Sequence, residues 1–299
     1  MTIEAAAAGG ELWLRDIRGH LSGVRVKAGD VLVAPFQAFG LVRTSAGEVW
    51  AFEYGNGQGV VWQRERNGWR ERFSVPLQDA GPRGLAELDG PAIVTRRLLI
   101  TPKRTIELSD DVPYREVTLS FAISGGALWV GKNAGEWYGG LRRYSLATGE
   151  AVRVPLAELR RGVVETVTAV VPERSGCVLA SLGLCHFGED GLVVRACEDG
   201  RLEVAADWKA PSSDSWSGHS AVFSLLSNGK TTLASTFAGL RRVDAPRDPP
   251  VPWKFERVCG LGIARPAKGV LAISSQAIRH AAVGGASPFF IADDPSLTE

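Results

Sequence analysis

The run Gly125–Pro155, GGALWVGKNAGEWYGGLRRYSLATGEAVRVP, decides the fold. With VTLSFAIS (Val117–Ser124) ahead of it, it parses into four strands over 117–124, 127–133, 141–146 and 151–155. The Gly125-Gly126 hairpin, the loop AGEWYGG and the Thr148-Gly149 turn separate them. Alternation of apolar and polar residues with a period of two is the pattern of a half-buried strand, and Gly-containing pairs supply the turns. Pro155–Val164 (PLAELRRGVV) is the one passage expected to form a turn or two of helix.

The second strand of this unit recurs along the chain. GELWLRD from Gly10, GEVWAFE from Gly47, GPAIVTR from Gly90, GALWVGK from Gly126, GCVLASL from Gly176, KTTLAST from Lys230 and KGVLAIS from Lys268 all match it. Their central apolar residues, Trp13, Trp50, Ile93, Trp129, Leu179, Leu233 and Leu271, lie 36 to 54 positions apart. That is the period of a four-stranded propeller blade with loops of variable length. The third strand recurs too, from GLRRYSLATGE (140–150) to GLRRVDAPRD (239–248). Looser forms start at Gly23, Gly59 and Gly191. The expectation is an all-β, seven-bladed β-propeller of four-stranded blades, with six blades the runner-up, as a single domain over 1–299. Residues 2–8 would either complete the first blade or pair with the last. Trp13, Trp50 and Trp129 share one repeat position and are expected to pack between blades.

GGALWVGKNAGEWYGGLRRYSLATGE resembles the repeat of two-component-regulator-type propellers, which reads roughly G-x-L-W-[IV]-G-T, then G-G-L, then a Y/D-x-x-T-G turn. The match is specific over Gly126–Glu150, fair over Gly47–Gly68 and weak elsewhere. The resemblance implies a β-propeller, and in that family such arrays serve as sensory or scaffold modules. No kinase, membrane or DNA-binding segment accompanies it here, so a signalling role does not follow.

Composition narrows the rest. A chain of 299 residues with 45% hydrophobic and 22% charged residues is neither disordered nor collagen-like. Four cysteines are too few for a disulfide-stapled secreted scaffold. A net charge of +1 lacks the basic balance of a general nucleic-acid binder. Met1–Gly10 has neither the basic nor the apolar region of a secretory leader, and no run approaches the roughly 18 apolar residues of a membrane helix. A cytoplasmic monomer without a membrane or nucleic-acid partner is expected, and Arg-rich usage points to a bacterial source.

If strands alternate in direction, the second-to-third loops and the blade-to-blade connections open on one face. The candidate loops there are YGNGQG (54–59), NAGEWYGG (133–140), CHFGEDG (185–191), DWKAPSSDSWSGHS (207–220) and VPWKFER (251–257). They place Glu53, Tyr54, Asn133, Glu136, Trp137, Tyr138, His186, Asp214, Trp216, His219 and Trp253 as binding candidates. Aromatic rings give contact area and amide or acidic groups give orientation, which suits a peptide, protein or sugar surface. Trp137, Trp208, Trp216 and Trp253 are the loop tryptophans.

Catalytic signals are thin. HExxH, G-x-S-x-G and Walker motifs are missing, and Gly55-x-Gly57-x-Gly59 has no helix after it. Cys177, Cys185 and Cys197, spaced by 8 and 12, do not form a zinc ribbon and are expected as small buried hydrophobes. No cofactor is called for, although carbonyls and scattered carboxylates could take calcium in a propeller channel. The doubled arginines at 142–143 and 241–242 lie in strands, so each pair splits between two faces. A non-catalytic binding propeller for a protein or peptide partner, in a bacterial immunity or accessory role, is the leading expectation. A hydrolase or lyase using Glu53, Glu136 or His186, with or without calcium, is the alternative, and a lectin is the third reading.

Overall fold

The computed structural model describes residues 2–8, 11–16, 18–25, 31–44, 46–78, 80–112, 118–133, 139–160, 162–186, 188–210, 217–227 and 231–250. They form six antiparallel sheets, five of four strands and one of three, each built from strands consecutive in sequence. The first sheet runs β1 (Thr2–Ala8), β2 (Glu11–Asp16), β3 (His20–Arg25) and β4 (Val31–Gln37). The second contains β5 (Gly40–Arg43), β6 (Val49–Gly55), β7 (Gln58–Glu65) and β8 (Gly68–Pro76). In the third are β9 (Pro82–Glu87), β10 (Pro91–Thr95), β11 (Leu98–Ile100) and β12 (Thr105–Glu107).

The fourth sheet contains β13 (Thr118–Ser124), β14 (Ala127–Asn133), β15 (Gly140–Ser145) and β16 (Ala151–Arg153). These are the four strands expected from the deciding run. The fifth contains β17 (Val167–Pro172), β18 (Cys177–His186), β19 (Gly188–Cys197) and β20 (Leu202–Ala206). The sixth contains β21 (Ser224–Ser227), β22 (Thr232–Thr236) and β23 (Gly239–Arg242). The expected helix after Pro155 is a single 3-10 turn, Leu156–Glu158. No helix among the described residues is long and apolar enough to cross a membrane.

Six of the seven signatures fall on the second strands β2, β6, β10, β14, β18 and β22. The seventh, from Lys268, lies outside the described residues. Residues 2–8 pair with β2 and complete the first sheet.

Two compact units divide the described residues. One holds residues up to 112 together with 147–150; the other holds 118–146 and 151–250. In the first unit, β1 packs beside β5 and β5 beside β9; in the second, β13 packs beside β17 and β17 beside β21. Successive four-stranded meanders packed through their first strands are propeller blades, and the fold is all-β of the β-propeller class.

The repeat positions form the cores. Trp13, Trp50 and Trp129 are 1%, 4% and 1% exposed, and Ile93 and Leu179 are buried at the same position. The indole of Trp13 lies over its cross-strand partner Gly23, where an added Cβ would come within 2.8 Å of the ring. In the second unit, Trp129, Leu141, Val167, Val170, Val178 and Leu182 join into one cluster between the fourth and fifth sheets. Trp208, expected in a loop, is 5% exposed and packs with Leu179, Val193 and Val222. Its indole N–H donates to the Pro246 carbonyl at 2.9 Å, and Arg241 lies over the ring. This tryptophan is part of the core.

The cysteines of the fifth sheet also differ from expectation. Cys177 and Cys197 are direct cross-strand partners on β18 and β19 and form a disulfide. Both are buried, at 3% and 4% exposure, so the apolar surroundings expected for them hold while their chemistry differs.

Candidate functional site

Parts of three connections of the second unit build a polar site: 154–160 and 162–166 between β16 and β17, the β18–β19 hairpin, and 207–210 with 217–223 between β20 and β21. CHFGEDG, expected as a loop, is instead a tight hairpin in which His186 pairs with Gly188 and Cys185 with Glu189. Glu189 and Asp190 therefore sit in a strand, and both are fully buried. Next to them, Gly183 and Gly191 face each other across the ladder. Their lack of side chains lets residues 220–222 lie on the sheet; an added Cβ at Gly183 would stand 2.1 Å from the Val222 carbonyl oxygen. The Thr168 hydroxyl donates to that carbonyl at 2.8 Å, which fixes the segment.

The long connection folds back on itself. Lys209 and His219 form a β-bridge, the Ser220 amide donates to the Trp208 carbonyl at 2.7 Å, and the Ala210 amide to Gly218 at 3.0 Å. Its two arms are thereby brought together as a ridge. Buried carboxylates anchor the ridge: Glu189 accepts from the Ala221 amide at 3.2 Å and the Ser220 hydroxyl at 3.4 Å. Ser217 donates to the Glu189 carbonyl at 3.0 Å and accepts from the His219 amide at 3.1 Å.

A chain of charges runs from the ridge inward. His219 Nδ1 lies 2.7 Å from Asp207 Oδ1, and with an ionised carboxylate the ring N–H is the donor. Asp207 Oδ2 is 3.9 Å from Arg160 Nη1, and Arg160 Nη2 bonds Asp190 Oδ1. Asp190 Oδ2 accepts the Val164 amide at 3.2 Å. Burying Asp190 is tolerable because it keeps a cation and a backbone donor. The arrangement can orient the imidazole and hold the ridge at a fixed height above the sheet. Among the described residues, no three His, Cys, Asp or Glu side chains converge as a metal site.

The segment that holds Asp190 continues into a basic face. Arg153 bonds Glu165 at 2.6 Å, one residue from Val164. Gly139 lets this segment come close to β15: an added Cβ there would stand 2.0 Å from the Glu165 carbonyl oxygen. In the ladder, Lys132 pairs with Gly140, Val130 with Arg142, and Arg142 with Arg153. Cross-strand partners share a face and residues two apart share it too, so Lys132, Arg142 and Arg153 project together. Arg143 projects to the other face and bonds the Glu198 carbonyl. The doubled arginines thus split as expected. At 241–242, Arg241 covers Trp208 while Arg242 bonds Asp244.

Lys132 titrates below the ordinary lysine range, because burial disfavours its charge and Arg142 and Arg153 repel it. Between the lowered folded value and the unfolded one, the unfolded chain binds more protons, so stability rises with pH across that alkaline window. Urea midpoints followed as pH rises toward the ordinary lysine range should show this rise relative to Lys132→Met, which has no titrating group there. Parallel pH profiles for the two proteins would contradict it.

Of the sequence candidates, His219 enters the network. Glu53 accepts the Trp62 indole N–H at 2.9 Å, and the Tyr54 hydroxyl donates to the Gln78 carbonyl at 3.2 Å, both on β6. Their expected loop is a two-residue turn, Asn56-Gly57, with both φ values positive. Asn133 ends β14 and is 2% exposed. Glu136, Trp137, Tyr138, Asp214, Trp216, Trp253 and the His186 side chain lie outside the described residues. Asp207, Arg160, Glu189 and Asp190 were not among the candidates. Asp207 and the acidic pair were inside quoted loops, but as loop residues they had no visible partner.

No family model matches the chain, and no curated protein matches it. Among solved structures, it is similar to a structural genomics protein of unknown function from Bacteroides thetaiotaomicron VPI-5482. The identity is 8% and the TM-score 0.51, over 78% of this chain and 66% of that one. YCF48 bound to D1 peptide gives 11% identity and a TM-score of 0.47, covering 86% and 84%. BamB from Moraxella catarrhalis gives 13% and 0.42, covering 78% and 66%. The likeness to the Bacteroides protein is one of fold alone.

Proposed function

We propose that this chain is a non-catalytic binding propeller that holds a protein or peptide partner on the loop-rich end of its blades. The supporting observation is the pair of arms 207–210 and 217–223, pinned to the fifth sheet by Glu189 and braced by the His219–Asp207–Arg160–Asp190 chain. A fixed ridge lowers the ordering cost of association, as preorganised interfaces do. Its carboxylates serve backbone amides and Arg160, a use that suits scaffolding. On this reading the repeat is of the two-component-regulator type, and the protein is a bacterial monomer in an immunity or accessory role without a cofactor; the Cys177–Cys197 bridge favours an oxidising compartment over the expected cytoplasm.

Affinity capture from the source cell with the tagged chain is the test. One protein should be retained, with at least about fivefold less on Asp207→Ala, which frees one arm of the ridge. Val31→Ala on the exposed face of β4 should retain it fully. Recovery of a small molecule with no protein would overturn the reading. The Asp207-oriented imidazole favours a second reading, a hydrolase or lyase in which His219 acts as the base.

A further inference from the structure

We propose that the Cys177–Cys197 bridge is a reversible exchange site for a dithiol reductant, with Arg201 stabilising the thiolate that its opening releases. The inference goes beyond the binding reading and does not rest on it. Register builds the site. Cys177 and Cys197 pair across β18 and β19, the Glu173 amide donates to the Cys177 carbonyl at 2.9 Å, and the Cys197 amide donates to the Arg201 carbonyl at 2.9 Å. Glu173, Cys177, Cys197 and Arg201 thus form one row across the fifth sheet, on one face. Arg201 turns its Nη2 onto the sulfurs, 3.5 Å from Cys197 Sγ and 3.8 Å from Cys177 Sγ. Both cysteines are buried, but the Arg201 side chain against them is 56% exposed, so the bridge lies one flexible side chain beneath the surface.

The charges around the bridge favour a released thiolate. A guanidinium beside a sulfur favours its charged form, and a carboxylate disfavours it. Arg201 Nη2 is closer to both sulfurs than to Asp199, whose Oδ2 is 3.9 Å away while its Oδ1 accepts the Arg201 amide at 2.9 Å. The other acids here are drawn elsewhere. Glu173 accepts from Arg195 at 2.6 and 2.8 Å, Glu203 from Arg195 at 2.5 Å, and Glu198 from the Gly126 amide at 3.1 Å. In the exchange, one thiol of the reductant loses its proton to water and attacks Cys177 Sγ. The S–S bond breaks, and Cys197, the sulfur nearer Arg201, leaves as a thiolate; a stabilised thiolate is the better leaving group. The reductant's second thiol then displaces Cys177 from the mixed disulfide and passes its proton to it. Two electrons have reached the bridge, and the reductant is oxidised to its own disulfide. The Cys177 thiol has its acceptor in place, the Ser175 carbonyl at 3.7 Å.

The test follows reduction of the full chain by dithiothreitol and then alkylation of Cys197 by iodoacetamide, each read by peptide mass. At about pH 7 the wild type should open about three- to fivefold faster than Arg201→Met, which keeps the cover and removes the charge. Arg201→Lys keeps a cation and should stay within about twofold of wild type. In the reduced proteins, alkylation of Cys197 should reach half its limiting rate about one pH unit lower in wild type than in Arg201→Met. Oxidised dithiothreitol should then restore the bridge. Equal opening rates for wild type and Arg201→Met, superposed alkylation profiles, or a bridge that does not re-form would each overturn the proposal. So would loss of the β-sheet circular dichroism on reduction, which would make the bridge a structural clamp alone.

Discussion

Asp190→Ala is expected to destabilise the protein by about 3 kcal/mol, the lower end of the cost of breaking a buried ion pair. The carboxylate is fully buried, while its partner Arg160 is 21% exposed and keeps Asp207 at 3.9 Å, so part of the stranded charge is relieved. The Val164 amide loses its acceptor at the same time. Two unmet groups in one place make the effect large, and it should appear as a lower urea midpoint with an unchanged slope. Removing both charges in Arg160→Met/Asp190→Ala should recover part of the loss, because no uncompensated cation is then left. A single variant within about 0.5 kcal/mol of wild type would show that the pair does not carry the ridge.

Removal of the Cys177–Cys197 bridge is the second large effect. The two residues are 20 apart in sequence, and closing a loop of that length restricts the unfolded chain by about 3 kcal/mol on the chain-entropy account. Cys177→Ala/Cys197→Ala should melt well below the oxidised protein and should not respond further to a reductant. Wild type treated with a reductant should fall toward the variant. If the reductant leaves the wild-type transition where it was, the bridge has no share in stability.

The blades were readable because each repeats the same physical problem. A strand buried on both sides must be apolar over most of its length, as the ALWVG of β14 is, and the turn before it must be compact, as Gly125-Gly126 is. Those demands act locally, so β13 to β16 could be drawn within a residue or two of their ends. Pairing across a hairpin was harder to read. CHFGEDG looks like a loop because Gly, His and two acids are typical of one, yet its strands run to within one residue of Phe187. With His186 paired to Gly188, Cys177 and Cys197 stand nine residues further out on their strands and face each other. The bridge was thus latent in the spacing, hidden by a misplaced turn.

The site was less legible, since its members come from three connections. His219 stood out by residue type. Arg160 looked like one half of a surface doublet, and Glu189 and Asp190 like solvated acids. Their burial follows from the Gly183–Gly191 pair, which draws residues 220–222 down onto the sheet, and no local pattern announces such a long-range approach.

That glycine pair also decides where natural variation could alter the protein most sharply. Gly183 and Gly191 carry no functional group, and a comparison that weighs residues by chemistry would pass over both. Yet one methyl at either position collides with backbone, 2.1 Å from Val222 oxygen in one case and 2.3 Å from Leu182 oxygen in the other. At Gly183 the segment 220–222 would have to lift, while at Gly191 the paired strand β18 would have to shift as well. On the binding reading, divergence at these two positions would reshape the site while every functional group in it stayed the same.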